Sequence, residues 1–186
     1  MLDDLQLIKF AKAGKLEAFE ALIIKYKNKV YSIAFSFTAN HSESDDIAQN
    51  VFFKVYLNLN SFEEKSAFST WLYRITVNEC YNGLKKRKNN ILSLDFEIND
   101  GETSSVKSMI EDKNGNIEDS MLSQEIQLQV RKAVLKLPDK YRMIITLRDI
   151  EELSYEEIAQ VMKISNDKVK VWLFRARSKL KNILNI

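Results

Sequence analysis

Proline occurs once and glycine four times in 186 residues. The chain therefore has few residues that break helices or make tight strand turns, and an all-α fold is expected. Cysteine also occurs once, at Cys80, which excludes an internal disulfide and a cysteine-based zinc site. With His41 as the one histidine, no His/Cys metal cluster can be assembled. No apolar run approaches the roughly 20 residues of a membrane span, and the start MLDDLQLIKF lacks the basic residues of a signal peptide. A reducing cytoplasm suits these features. There is no Gly-rich phosphate loop and no Cys–His or Ser–His pair with supporting context. The stretch from Asp112 to Glu118 resembles a calcium loop only in passing, because its glycine is misplaced and Ser123 stands where the twelfth-position Glu belongs. No catalytic residue, metal or cofactor is expected.

What is present is amphipathic helix and unevenly placed charge. Hydrophobic residues make up 45%, enough for a core. The net charge of +2 divides into +3 over residues 1–92, −6 over 93–119 and +5 over 120–186. Two mildly basic helical bundles joined by an acidic, flexible linker at 93–119 are the expected architecture. The most informative stretch is Leu153 to Leu180. Ser154 and Glu157 form a capping box for one short helix. Ser165 or Asn166 can cap a second, whose inward stripe is Val169, Trp172 or Leu173, Ala176 and Leu180. From Lys163 to Lys181 there are seven basic residues and one acid, Asp167. Such helix pairs are commonly solvated surface, but a helix so self-repelling is better explained by a polyanion, and a helix-turn-helix facing DNA is expected.

Upstream, Asp3 can cap a short helix ending near Gly14, and Lys15 to Phe37 carries one unbroken apolar stripe. His41 falls in a polar turn before a helix that starts at Ser44 or Asp45 and buries Ala48, Val51, Val55 and Leu59. Phe52 and Phe53 there read either as core or as part of a contact surface with Asp45, Asp46 and Gln49. A polar connection from Asn60 leads into a helix from Ser69 to about Lys86. Its Trp71, Tyr73, Arg74, Asn78, Tyr81 and Asn82 suit stacking on unpaired bases, or equally the polar margin of a core helix. Helix resumes near Ser120 with Leu122, Ile126, Val130, Ala133, Val134 and Leu137 on one side, and Pro138 stops it. Another helix follows from Asp139 to Glu151, with Tyr141, Ile144, Ile145 and Leu147 inward.

Three stretches resemble the small bacterial RNA polymerase sigma factors of the extracytoplasmic-function group: DDIAQNVFFKV from Asp45, FSTWLYRITVN from Phe68, and Leu137 to Leu180 with its LSYEEIA and LFRAR segments. The resemblance implies a sigma region 2 domain at 1–92, which binds polymerase and recognises and melts the −10 element. It implies a region 4 domain at 120–186 for the −35 element. The implied partners are core RNA polymerase, promoter DNA (duplex at −35, single-stranded at −10) and an anti-sigma factor, which in this group can be membrane-bound. The chain itself is not expected to insert in a membrane. Asp45, Asp46, Gln49 and Phe52 would meet the polymerase clamp. Lys65, Ser66, Ala67 and Phe68 would hold a flipped −10 base, with Trp71, Arg74, Asn78 and Asn82 on its strand. Arg148, Asn166, Lys168, Lys170, Val171, Phe174 and Arg175 would contact the −35 duplex. The chain departs from the family pattern at Asp167-Lys-Val, where Gly-Thr-Val is common, and at Val171-Trp172, where Ser-Arg is common. The competing expectations are a stand-alone helix-turn-helix regulator, which would need a dimer surface for a palindromic site, and a module that sequesters another factor.

Overall fold

The computed structural model describes the backbone of residues 2–94 and 117–185, and side chains of 2–87 and 125–185. Every regular element among the described residues is helical. Most of the expected linker, 93–119, lies outside the described residues. At its edges helix runs on to Leu94 and resumes at Ile117.

The first helix, α1, spans Asp4–Lys12. The Asp3 carboxylate accepts from the Gln6 amide at 2.8 Å, and the Gln6 side-chain oxygen accepts from the Asp3 amide at 3.2 Å. Gly14, at φ +85°, supplies the left-handed residue that turns the chain. Then α2, Leu16–Thr38, buries Phe19, Leu22, Tyr26, Val30, Ile33 and Phe37, a series of three- and four-residue steps that keeps one face inward. The Tyr26 hydroxyl donates to Asp4, tying α2 to α1. Burial first, then that hydrogen bond, holds the Tyr26 phenol well above its ordinary pKa.

The α2–α3 corner differs from expectation. The third helix, α3, spans His41–Asn58 and is capped by Asn40, which accepts from the Glu43 amide at 3.0 Å. Ser44 does not begin it. Ser44 is fully buried, bonding to the Thr38 hydroxyl at 2.8 Å and the Asn40 carbonyl at 2.5 Å. Asn40 takes the cap because Ser44 is engaged in closing the corner. His41 is likewise helical: its ring stacks on Phe35 at 4.5 Å and bonds the Tyr31 hydroxyl at 2.6 Å. Inward residues are Ile47, Val51 and Val55, with Leu59 in a 3₁₀ turn, Leu59–Ser61. Ala48, expected inward, is partly buried and packs against the core beside Ile47.

A loop with buried Phe62 leads to α4, Phe68–Leu94. Phe68, Leu72, Tyr73, Val77 and Cys80 are its buried hydrophobic residues, with Thr70 and Thr76 buried among them. Burial pushes the Cys80 thiol up to about 12, so it stays protonated at neutral pH.

In the C-terminal part, α5 spans Ile117–Leu135 and buries Ala133 and Val134. Ile126 and Val130, expected inward, are 52% and 37% exposed, and the buried residues described on this helix lie near its C-terminal end, at Ala133 and Val134. Leu122's side chain lies outside the described residues. The helix stops before Pro138, which instead precedes α6, Asp139–Ile145. A wider π turn, Thr146–Ile150, continues it. The capping box expected for α7, Tyr155–Met162, is present: Glu157's amide donates to the Ser154 hydroxyl at 3.1 Å and Ser154's amide to the Glu157 carboxylate at 2.8 Å. Lys163 turns the chain in a left-handed conformation, and Ser165 caps α8, Asn166–Leu184.

The two parts pack on each other. Helix α7 lies against α4. Arg142 donates to the Phe37 carbonyl across this junction at 2.8 Å and to the Leu135 carbonyl within its own part at 2.6 Å. Its guanidinium also stands 5.4 Å from the centre of the Phe37 ring. The Tyr73 phenol, buried and facing Glu151 and Glu157, is pushed up to about 12. Tyr81, half-buried and facing Asp139, rises similarly.

Candidate nucleic-acid interface

Helical geometry sorts α8 into strips. Val169, Leu173 and Ala176 are buried. Opposite them, Val171 and Phe174 point outward, Phe174 with 76% of its surface exposed. An exposed phenylalanine costs stability unless something covers it. It stands between two basic rows, Lys168, Arg175 and Lys179 on one side and Lys170, Arg177 and Lys181 on the other, all exposed. In each row the residues are spaced by seven and then four, which keeps them on one line along the helix. A helix with an apolar and polar centre strip and a cationic edge on each side matches the major groove, whose floor offers base edges and methyl groups and whose walls are phosphates. Asn166 is exposed at the first turn.

Two of the basic residues are already engaged. Arg177 donates to Asp149 at 2.5 Å, and that hydrogen bond raises the guanidinium's pKa. Lys170 stands 3.6 Å from Asp167, an exposed pair that contributes little to stability. Arg148, expected on the duplex, is turned inward: it donates to the Leu153 carbonyl at 2.7 Å and lies over the Tyr155 ring at 5.4 Å. It braces the corner that sets the angle between α7 and the π turn.

On α4, Trp71, Asn78 and Asn82 share one face at spacings of seven and four and line an open groove with Lys54, Asn58, Ser61, Ile75 and Glu79. Asn78 and Asn82 are exposed, and Arg74 is half-buried at the groove's flank. Asn82 donates to Glu79 at 3.0 Å, which also receives Lys54 at 2.5 Å. Trp71 is half-buried, its ring 5.3 Å from Phe62 and 5.8 Å from Phe68. In the loop expected to hold a flipped base, Lys65 and Ala67 are exposed and Ser66 half-buried, but Phe68 is buried. Phe68 is the floor under Trp71 rather than a free stacking surface. Lys65 pairs with Glu63.

A family described as sigma-70 region 2 matches residues 22–90, and one described as sigma-70, region 4 matches 127–180. The ECF RNA polymerase sigma factor SigW of Bacillus subtilis (strain 168) is 37% identical over 177 residues, 95% of this chain and 94% of that protein. The chain belongs to the ECF group of sigma-70 factors. The ECF RNA polymerase sigma-E factor of Escherichia coli (strain K12) is 35% identical to this sigma factor over 181 residues, covering 97% of the chain and 94% of the relative. Among solved structures, CnrH in complex with the cytosolic domain of CnrY aligns with a TM-score of 0.71 at 22% identity, over 98% of this chain and 97% of that one. RpoE in complex with the anti-sigma factor NepR from Bartonella quintana gives 0.70 at 22% identity, over 90% and 97%. These two share the fold. No helix among the described residues is long and apolar enough to cross a membrane.

The sigma factor's third surface is α3. Asp45, Asp46 and Gln49 are all exposed. Asp46 and Gln49 border a second groove, between α3 and α4, whose far wall includes Asn82, Lys86 and Arg87. The two phenylalanines divide between the two expectations: Phe52 is half-buried against the core, and Phe53 is 62% exposed. Tyr56 and Leu57, which the sequence reading does not single out, are exposed beside Phe53. Helical spacing carries the signal, since 53, 56 and 57 share a face opposite Val51 and Val55.

Proposed function

We propose that this sigma factor binds core RNA polymerase through Asp45, Asp46, Gln49 and Phe52 on α3. It holds the unpaired −10 strand with Lys65, Ser66, Ala67, Trp71, Arg74, Asn78 and Asn82 above the floor that Phe68 provides, and reads the −35 duplex with α8. It directs promoter-specific initiation. On this reading residues 1–92 and 120–186 work as separate domains, the chain acts in the cytoplasm where polymerase and chromosome meet, and all chemistry belongs to the polymerase. The observation that carries the assignment is α8, where an exposed Val171–Phe174 strip runs between two cationic rows.

The physical division of labour follows from the groups present. Ammonium and guanidinium contacts to phosphate give salt-sensitive affinity with little sequence choice. The strip from Asn166 to Phe174 adds choice, about 1–3 kcal/mol for each good bidentate pair with a base. Arg148 contributes by fixing the corner beside Tyr155. Extruding a −10 base costs a few kcal/mol, which stacking at roughly 1–3 kcal/mol per base offsets. Trp71, propped from beneath by Phe62 and Phe68, offers a preformed edge for that contact. CnrH and RpoE are each seen bound to a second protein, CnrY and the anti-sigma factor NepR; we extend to this chain an anti-sigma partner that keeps both parts from polymerase. A stand-alone operator binder is not favoured, because the match to sigma factors spans both parts of the chain.

One pair of variants separates the two ends. Asp46→Ala with Gln49→Ala should weaken core polymerase binding about thirtyfold, the lower end of the roughly 2–5 kcal/mol cost of truncating a charge buried in an interface. Its melting temperature should stay unchanged, since both side chains are exposed. Lys170→Ala should leave polymerase binding intact and lower use of the −35 element about tenfold, the lower end of a groove contact. Equilibrium binding to fluorescent core enzyme and run-off transcription read the two effects. Loss of polymerase binding in the Lys170 variant would contradict the assignment.

A further inference from the structure

Trp172 stands at the edge of α8 between two ammonium groups. Lys168 lies 5.0 Å from the ring centre and Lys140, from the first turn of α6, lies 5.3 Å from it. Lys140 is also 5.0 Å from the Tyr141 ring. Tyr141, buried, meets the indole edge-on at 6.4 Å and fixes its plane. The family pattern commonly has Ser-Arg where Val171-Trp172 stands. Here an aromatic ring takes that position and gathers a lysine from another helix.

The path of α6 decides which way Lys140 faces. The segment from α6 through the π turn passes behind α8. At one end Tyr141 touches Trp172, and at the other Asp149 holds Arg177. Trp172 and Arg177 are five residues apart, so they project on opposite sides of the helix. Lys140 therefore emerges on the side that carries Lys168, Arg175 and Lys179, and extends that row beyond the helix itself. Among the described residues neither Lys140 nor Lys168 makes an ion pair, whereas Lys170 and Arg177 on the other side do. Cation–ring contacts hold both side chains in place, which lowers the ordering cost of binding.

We infer that Lys140, held with Lys168 over Trp172, is a further contact to the phosphodiester backbone of the −35 duplex. It anchors the strand beside α8 without reading bases. The inference rests on the assignment of α8 to duplex DNA.

The test uses holoenzyme reconstituted from core polymerase and the full chain, titrated with a fluorescent promoter duplex identified by start-site mapping. Titrations run from about 50 to 200 mM KCl, the range over which counterion release is steep. Lys140→Gln should reduce the slope of log K against log salt by about 0.9, the value for one lost phosphate contact. It should weaken the cognate duplex and one with a scrambled −35 element by the same factor. Lys140→Arg should restore the slope, and Lys29→Gln, an exposed lysine on α2, should not alter it. An unchanged slope in Lys140→Gln, with Lys170→Ala still weakening the cognate duplex, would overturn the inference alone. No effect from either variant would remove the assignment of α8 to DNA beneath it. A loss of core polymerase affinity in Lys140→Gln with an unchanged salt slope would also overturn it, placing Lys140 on polymerase.

Discussion

Dyes attached at Lys29→Cys and Lys132→Cys should move apart by several tens of ångströms when the chain passes from the free state into a promoter-bound holoenzyme. Both positions are exposed, one on each helical part. The native Cys80 does not compete for label, because it is buried and its thiol pKa is raised to about 12. In the structure the parts are closed on each other, with Arg142 donating to the Phe37 carbonyl and α7 packed on α4. A chain of 186 residues packed as one body has a radius of gyration of about 16 Å, hence a width of roughly 40 Å. The −35 and −10 elements are about 25 base pairs apart by their names, or roughly 85 Å at about 3.4 Å per step. The closed form cannot touch both. Opening exposes the Tyr73 and Tyr81 face of α4 and removes one of the carbonyls that the Arg142 guanidinium holds, at a cost that polymerase binding must offset. Energy transfer between the dyes should be high in the free chain and fall sharply in the complex. Equal transfer in both states would mean that one part never leaves the other, and that only one promoter element is read.

Phe62→Ala should lower stability by about 3–5 kcal/mol, the usual range for a buried phenylalanine. Phe62 is buried, its ring meets Phe68 at 5.7 Å and Trp71 at 5.3 Å, and its carbonyl accepts from Lys12 at 2.6 Å. The change removes the ring that connects α1, the loop and the start of α4. For a chain of this size the melting temperature should fall by about 10 °C. A functional loss should exceed the stability loss: at a temperature where the variant is folded, polymerase should still bind through α3, while initiation on a duplex promoter drops. A premelted −10 template should recover part of it, because Trp71 then need only stack and not compete with base pairing. Thermal unfolding followed by circular dichroism and run-off transcription on the two templates read both effects. A variant that melts like the native chain and initiates normally would show that the Phe62–Phe68–Trp71 cluster supports neither the fold nor opening.

Much of this architecture is legible in the amino-acid sequence, for identifiable physical reasons. The stripe of α2 and the capping box at Ser154 depend on neighbours within a few residues, and local spacing states them directly. The same holds for the two rows on α8. What local spacing misses depends on distant partners. Asn40 caps α3 because Ser44 is needed to bind Thr38 and close the corner. Phe68 looks like a free base-stacking ring until Phe62 and Tyr26 are found against it. Ile126 and Val130 have a core-like period yet stay 52% and 37% exposed. Arg148 and Arg142 look like surface cations in the sequence, but each is turned to backbone carbonyls, and Arg142 reaches a residue 105 positions away. The mutual packing of the two parts leaves no periodic trace, since it joins surfaces that are each complete as amphipathic helices.

The most direct measurement is transcription from a natural promoter by purified core polymerase, with and without this chain, followed by mapping of the start sites. Defined starts that appear only when the chain is present, and that share upstream −35 and −10 sequences, are the expected result. Core polymerase that neither binds the chain nor gains a defined start in its presence would contradict the account.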